Sequence, residues 1–310
     1  MFLRSPSRDA RPMNSTPNPT PDAATAARHV TDLVALMKLE ATGEDRFRGQ
    51  SENIGTPAVF GGQVLGQALV AASLTVPADR PVHSMHAYFL LPGKHAPIDY
   101  TVHRARDGRS FTTRHVIARQ EGREIFEMAA SFQTLDEGID HQDAMPQASD
   151  PLSQPSELER RIALGERVPA DYRFRGLISP GLEVRVMDAP DLLSPQPSPP
   201  QSMIWLRAIA PLPDDPMVHR ALLAYASDNG LLRAAMNPHG LTFFSTRLRA
   251  ASLDHAMWFH RDFRLDDWLL YVVDSPSAQG ARALCRGSIF TRDGRLVAST
   301  AQEGMLRVKT

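Results

Sequence analysis

The sequence predicts an α+β protein made of two fused copies of one unit, each a long central helix wrapped by a curved antiparallel β-sheet. Three observations lead to this fold. An apolar helix precedes four strand-like runs in the first half of the chain, the same order recurs in the second half, and no helices separate the strands within each run. Strands joined by short turns pair antiparallel, because a parallel pair needs a long crossover connection.

Composition excludes several classes of protein. The 310 residues are 42% hydrophobic and 22% charged, with a formal net charge of −1 and a single cysteine, Cys285. A protein with almost no net charge is not attracted to the phosphates of nucleic acid. A single cysteine cannot form an internal disulfide. No apolar run reaches the ~18 residues of a membrane span. We therefore expect a cytoplasmic protein without a membrane span or a nucleic-acid partner, and with Cys285 in its core.

The chain divides into four segments. Residues 1–28 are rich in Pro, Ser and Thr, a composition that predicts a disordered tail. The first unit covers residues 29–138, and the second unit covers residues 172–310. Between them, residues 139–171 lose the strand pattern and contain repeated prolines, which predicts a linker.

The first unit begins with a predicted helix at 27–41 and a brief strand at 45–51. Its long helix, 59–76, is apolar nearly all round, which predicts burial on every side. The glycines of this helix lack the spacing of a dinucleotide fingerprint, so we interpret them as allowing close packing of helix against sheet; they are Gly61, Gly62 and Gly66. Runs rich in β-formers and separated by glycine turns follow, at 82–91, 98–106, 110–119 and 124–133.

The second unit repeats this order. A helix is predicted at Pro216–Met236, after strands at 182–188 and 203–209 that flank an exposed proline loop. Four more strands follow, at 245–261, 267–275, 281–291 and 295–308. The units match at His86 and His255, each just before aromatic residues, and at the turns EGREIF and DGRLVA. An internal duplication explains the match.

One side chain in the second long helix is out of place. Winding the helix at ~100° per residue puts Asp228 on an apolar face, with Ala221, Ala224, Leu231 and Leu232. A carboxylate that faces a core is costly unless it is paired, hydrogen-bonded or used in chemistry. The alternative is a helix bend at Asp-Asn-Gly with the side chain turned to solvent, and the helix pattern does not decide between the two.

Common catalytic motifs are missing from the sequence: no G-x-S-x-G, P-loop, H-E-x-x-H or zinc-spaced Cys–His pattern occurs. Asp254, His255 and His260 suggest a metal site, but adjacent strand residues point to opposite faces, so we expect no metal. Hydroxyl and carboxamide groups such as those of Ser252 and Gln302 can hold a water for Asp228. Spacing alone does not separate these two residues from their neighbours.

Long segments in order resemble the acyl-CoA thioesterase II family: RFRGQS, VFGGQVLGQAL, HSMHAYFL, RDGRSF, YASDNGLL, SLDHAMWFHR, DWLLYVVDSPSA and RDGRLVASTAQEGMLR. The resemblance covers residues 30–307. It implies two fused hotdog domains that hydrolyse fatty acyl-CoA without a cofactor and assemble into a homodimer or homotetramer. By motif position the family's catalytic aspartate, hydroxyl and glutamine are Asp228, Ser252 and Gln302. The best-known bacterial relatives carry threonine where this chain has Ser252.

Two other functions are open. A non-catalytic acyl-CoA-binding module would have lost the polar set, whereas all three positions are filled here. A hotdog hydratase or dehydratase typically pairs an aspartate with a histidine on one segment, and no histidine lies within a helical turn of Asp228. The resemblance therefore implies direct hydrolysis by an activated water, with no acyl-enzyme.

Overall fold

The computed structural model describes residues 21–168 and 179–309. Residues 1–20 of the predicted tail lie outside this range, as do residue 310 and residues 169–178, which join the predicted linker to the second predicted unit. The whole first predicted unit and residues 179–309 of the second are described, including every predicted strand and both long helices.

The first unit contains two helices and six strands: α1 (Ala23–Met37), β1 (Leu39–Gly43), β2 (Arg46–Gly49), α2 (Gly61–Ser73), β3 (Val82–Phe89), β4 (Ile98–Asp107), β5 (Phe111–Gln120) and β6 (Arg123–Gln133). α1 begins four residues before the predicted start, because the Asp22 carboxylate caps it by accepting from the Thr25 N–H at 2.7 Å. The last turn of the predicted helix is instead the start of β1. α2 is buried on all sides, as predicted.

The second unit repeats the pattern after a short helix: α3 (Glu157–Ile162), β7 (Leu182–Val186), β8 (Gln201–Ala208), α4 (Pro216–Ser227), α5 (Arg233–Met236), β9 (Leu248–Ser252), β10 (Asp254–Phe259), β11 (Leu269–Gln279), β12 (Arg282–Thr291) and β13 (Leu296–Val308). The predicted helix Pro216–Met236 is wrong at its end, since α4 stops at Ser227. Gly230 there has a φ of +89°, a left-handed conformation that a helix cannot continue through.

The strands form one antiparallel sheet in the order β1-β2-β4-β5-β6-β3-β10-β13-β12-β11-β8-β7, with β9 paired to β13. The two halves of this order mirror each other about the β3–β10 pair, and each half holds one long helix. This topology confirms the α+β fold and the predicted repetition of the helix-and-sheet unit. Cys285 is buried in the core, as predicted.

Equivalent positions in the two units can be read from the sheet register. The turns before β6 and β13 end on Gly122 and Gly294, both with positive φ, and a register shift follows at the same step of each strand pair. Ala130 and Gln302 both lie eight residues after their turn glycine. They are therefore equivalent positions.

The predicted correspondence of His86 with His255 is wrong. Ala130 pairs with Met85 of β3, and Gln302 lies one step beyond the Ala256–Ala301 pair, beside His255 of β10. Met85 is thus the equivalent of His255, and both are fully buried. His86 is exposed on the opposite face, because it differs from Met85 by one residue in a strand whose side chains alternate.

The long helices α2 and α4 pack closely against each other and run antiparallel. A Cβ on Gly62 would lie 2.1 Å from the Tyr225 carbonyl oxygen, and a Cβ on Gly66 would lie 2.9 Å from that of Ala221. The predicted packing of helix against sheet is therefore wrong for Gly62 and Gly66, which allow close contact of helix with helix. It holds for Gly61, whose Cβ position lies 2.8 Å from a ring carbon of Phe89 in β3. The helix contact places the first turn of α2 beside the last turn of α4.

The predicted linker packs against the second unit. The Trp205 Nε1–H donates to the Ser149 carbonyl at 2.9 Å, and Met145 and Ala148 cover an aromatic cluster on that face of the sheet. α3 carries a capping box at Ser156. Among the described residues, none of the helices has the length and hydropathy of a membrane span.

We predict that Gly62→Ala lowers the free energy of unfolding by at least about 2 kcal/mol, since a backbone carbonyl cannot move aside as a side chain can. Chemical denaturation measures this. Gly138→Ala is the matched control, because nothing lies within 4 Å of its Cβ position. Equal stability of the two variants would show that the helices do not need this close contact.

Candidate active site

Asp228 lies where the last turn of α4 meets the first turn of α2. It is the C-cap residue of α4, and its Oδ2 lies 2.7 Å from the position a Cβ on Gly61 would take. The backbone N–H of Gly62 favours the charged carboxylate and lowers its pKa. A helix N-terminus attracts anions, because its first N–H groups are free and its dipole is positive there. The helix does end at Asp-Asn-Gly, but the carboxylate turns inward toward its hydrogen-bond donors, and the residue as a whole is half-buried.

The other two predicted residues meet Asp228 from neighbouring strands. The Ser252 Oγ–H, at the end of β9, donates to Asp228 Oδ1 at 3.1 Å. The Gln302 Nε2–H, from β13, donates to Ser252 Oγ at 2.6 Å, and the same carboxamide lowers the pKa of Asp228. Strand pairing makes this contact, since Ser252 pairs with Gly304, two residues beyond Gln302. The structure thus brings all three predicted side chains together.

His255 belongs to the same network and was missed from the sequence. Its Nδ1 lies 2.6 Å from Gln302 Oε1, and its Nε2 lies 2.9 Å from Ser227 Oγ. Strand alternation, which argues against a metal site, also indicates on which face of the sheet His255 lies. His255 alternates with the buried residues Met257 and Phe259, which places it on the inner face. No histidine lies within a helical turn of Asp228 in the sequence, but the fold brings His255 close to it.

Burial and hydrogen bonding compete at the two titratable groups. Burial raises the pKa of Asp228 above its ordinary value of 3.8, and the charge of His255 and hydrogen bonds from Ser252, Gln302 and Gly62 oppose that rise. Burial lowers the pKa of His255 below its ordinary value, against the charge of Asp228 and a bond to Gln302. The site therefore pairs a neutral imidazole with a carboxylate that binds a proton more readily than an exposed one.

A cavity of about 680 Å³ lies at the opposite end of α4, lined by Asp214, Pro216, His219 and Trp268 among others. A helix of twelve residues is about 18 Å long, so this cavity is separate from Asp228. We place the candidate site at Asp228 because the polar network, the shifted pKa values and the free end of α2 all meet there. In the described part of the chain no group of three or more ligand-type side chains could hold a metal ion.

Comparisons with known proteins agree over both units. A family model for acyl-CoA thioesterase matches residues 188–305, and a model for the acyl-CoA thioesterase N-terminal domain matches residues 48–133. Acyl-CoA thioesterase 2 of Haemophilus influenzae is 37% identical over 90% of this chain and 98% of its own length. Acyl-coenzyme A thioesterase 8 of Mus musculus is 38% identical over 89% of each chain.

Solved structures give the same result for the fold. Acyl-CoA thioesterase II TesB2 from Mycobacterium marinum is 44% identical and superposes with a TM-score of 0.72 over 89% of this chain and 98% of its own. A hotdog-fold protein of unknown function from Alicyclobacillus acidocaldarius has a TM-score of 0.71 at 19% identity, over 90% of this chain and 99% of its own, and bears on the fold alone. The predicted hotdog fold is confirmed.

We predict that Asp228→Asn becomes more stable relative to the wild type as the pH rises. The folded pKa of Asp228 is raised, so the wild type loses stability from about pH 4 upward until that pKa is passed, whereas Asn does not titrate. Each unit of pKa shift contributes about 1.4 kcal/mol. Urea denaturation of both proteins from pH 4 to pH 8 measures the difference. A difference that is constant or narrows with pH would contradict the prediction.

Proposed function

The chain belongs to the acyl-CoA thioesterase family, and we propose that it hydrolyses the thioester bond of fatty acyl-CoA to a free fatty acid and coenzyme A. The observation that carries this proposal is the hydrogen-bonded contact of Asp228, Ser252 and Gln302 at the first turn of α2. A hydrolase needs a base and groups that hold a water, and these three side chains supply both.

In the proposed reaction, a water held by Ser252 and Gln302 attacks the thioester carbonyl carbon while Asp228 takes up its proton. The raised pKa of Asp228 suits this role, because a base works best when its pKa approaches the working pH. The tetrahedral intermediate then breaks its C–S bond, and the proton leaves with the thiol. No acyl-enzyme forms. A thiolate leaves readily, so the placing of the water matters more than protonation of the leaving group.

The first turn of α2 would stabilise the negative charge that develops on the carbonyl oxygen. The first N–H groups of a helix lack the partners that later ones have. Here the Gln63 N–H already donates to the Phe60 carbonyl at 3.1 Å, so the candidates for this role are those of Gly61 and Gly62. Gly61 keeps this surface open, since a Cβ there would lie 2.7 Å from Asp228 Oδ2 and 2.8 Å from a ring carbon of Phe89. The first unit would thus supply backbone groups, and the second unit the three side chains.

The division of the chain is part of the same proposal. A first hotdog domain (29–138) and a second domain (172–310) are joined by the segment 139–171, and the second domain carries the reacting side chains. Assembly into a homodimer or homotetramer is proposed on the family resemblance, and a place in the cytoplasm on the composition of the sequence. Competing proposals are an acyl-CoA-binding module and a hotdog hydratase or dehydratase.

We predict that the wild type releases thiol from palmitoyl-CoA or octanoyl-CoA and that Asp228→Asn is at least ~100-fold slower, because Asn keeps the size but cannot accept the proton. Thiol release is followed with a thiol-reactive dye, and circular dichroism checks the fold. A wild type that binds acyl-CoA without hydrolysing any chain length would favour the binding module. Hydration of an enoyl-CoA without thiol release would favour the hydratase.

We predict that Ser252→Ala lowers kcat by about 10- to 100-fold, the effect of losing one hydrogen bond to a charged group, while Ser252→Thr stays within about threefold of the wild type. The two variants differ in the hydroxyl that bonds to Asp228. Steady-state kinetics on the better substrate gives both values. An Ala variant as active as the Thr variant would remove Ser252 from the water-holding set.

A further inference from the structure

We infer that His255 is a positioning residue, which orients the Gln302 carboxamide and so sets the direction of a hydrogen-bond chain that ends on Asp228. The inference rests on the proposed function, because it adds a residue to that site. The distances that carry it are 2.6 Å from His255 Nδ1 to Gln302 Oε1 and 2.6 Å from Gln302 Nε2 to Ser252 Oγ.

The chemistry of each group dictates the direction of the chain. A carboxylate only accepts, so the Ser252 hydroxyl donates its single proton to Asp228. Ser252 Oγ must then accept its second bond, and the amide nitrogen of Gln302 can only donate. Gln302 Oε1 therefore faces His255, and His255 Nδ1 carries a proton to donate to it.

The far side of the imidazole completes the chain. Burial lowers the pKa of His255, so the ring is neutral. With its proton on Nδ1, its Nε2 accepts a hydrogen bond. The donor is the Ser227 hydroxyl, 2.9 Å from Nε2 and at the end of α4 next to Asp228. This hydroxyl has one proton, so in this arrangement it bonds to Nε2 in place of the Ala224 carbonyl, 3.0 Å from the same oxygen. Four donors in a row thus point toward one carboxylate.

Without the imidazole N–H, the Gln302 carboxamide has two orientations of similar energy. Rotation by about 180° about its last torsion exchanges oxygen and nitrogen. Oε1 would then face Ser252 and draw the hydroxyl proton away from Asp228. The water would lose one donor, and the carboxylate would lose its fixed hydrogen bond.

The fold itself does not need this polar pair. Met85 and Ala130 occupy the equivalent positions of the first unit and are also buried and paired. An apolar pair therefore fills these positions in the same strands of the same sheet. The pair His255 and Gln302 occurs in the unit that carries Asp228, which points to the reaction and not to packing.

The test compares His255→Asn with His255→Leu. Asn and Leu have side chains with the same branching and the same number of heavy atoms, and the Asn amide N–H can take the place of the imidazole Nδ1–H. We expect His255→Leu to lower kcat by roughly 10- to 100-fold, the range found when groups that orient reacting side chains are removed, with KM nearly unchanged. We expect His255→Asn to recover most of kcat. If His255→Leu does not fold, His255→Met replaces it, since methionine occupies this position in the first unit.

A double-mutant cycle separates positioning from packing. If His255 acts through Gln302, His255→Leu causes no further loss of kcat in a Gln302→Ala background. The control is His219, a buried histidine at the other end of α4 whose Nδ1 accepts the Leu265 N–H. We expect His219→Leu to lower the unfolding midpoint and leave kcat as in the wild type.

Two results overturn the inference but leave the proposed function standing, provided that Asp228→Asn is slow as predicted. The first is an equal kcat for His255→Leu and His255→Asn. The second is a double variant in which the kcat losses of His255→Leu and Gln302→Ala multiply. If the wild type releases no thiol from any acyl-CoA, the proposed function fails; if Asp228→Asn and Gln302→Ala both keep the wild-type rate, the proposed catalytic set fails. In either case the inference fails with it. The inference is supported if His255→Leu lowers kcat, His255→Asn recovers it, and His255→Leu causes no further loss of kcat in the Gln302→Ala background.

Discussion

The close contact of α2 with α4 is the constraint on which the site depends. Gly62 lies against the backbone carbonyl of Tyr225, at a separation that leaves no room for a Cβ. Because the helices are antiparallel, the start of α2 then meets the end of α4, where Asp228 is placed. A buried carboxylate is expensive, and the N–H groups at the start of α2 offset part of that cost. If the helices were farther apart, Asp228 would lose the N–H groups of α2, and the cost of burying its carboxylate would remain.

The duplicated units differ at the end of their long helix. In the second unit this end carries Asp228, held by side chains from β9 and β13. In the first unit the buried guanidinium of Arg114 donates to the carbonyl and hydroxyl oxygens of Thr75, just beyond α2, and to Asp107 at 2.6 Å. An arginine with satisfied hydrogen bonds stabilises one helix end, and a carboxylate with a raised pKa occupies the other. The same topology thus supports a helix end with a structural role in the first unit and a helix end with a reactive carboxylate in the second unit.

The end of α4 shows how local and tertiary effects combine. Asp-Asn-Gly ends the helix through the positive φ of Gly230, as one of the two interpretations of the sequence required. The carboxylate nevertheless faces inward, as the other required, because its donors lie there. Burial destabilises the charged form of Asp228 and raises its pKa, and a general base benefits from the same shift. Stability and reactivity therefore make opposite demands on this residue.

The sequence by itself determined the order of elements, the burial of α2, the repetition of the unit and the anomaly at Asp228, because these follow from local periodicity and turn residues. Resemblance to a family added Ser252 and Gln302, which spacing could not select. Tertiary structure decided the role of the glycines, the packing of the segment after residue 138, and the place of His255. Three hydrogen-bonded pairs at the site, Asp228–Ser252, His255–Gln302 and Ser252–Gln302, are 24, 47 and 50 residues apart along the chain. Strand alternation gives the face on which such a residue lies, but the sheet register decides which residues stand side by side.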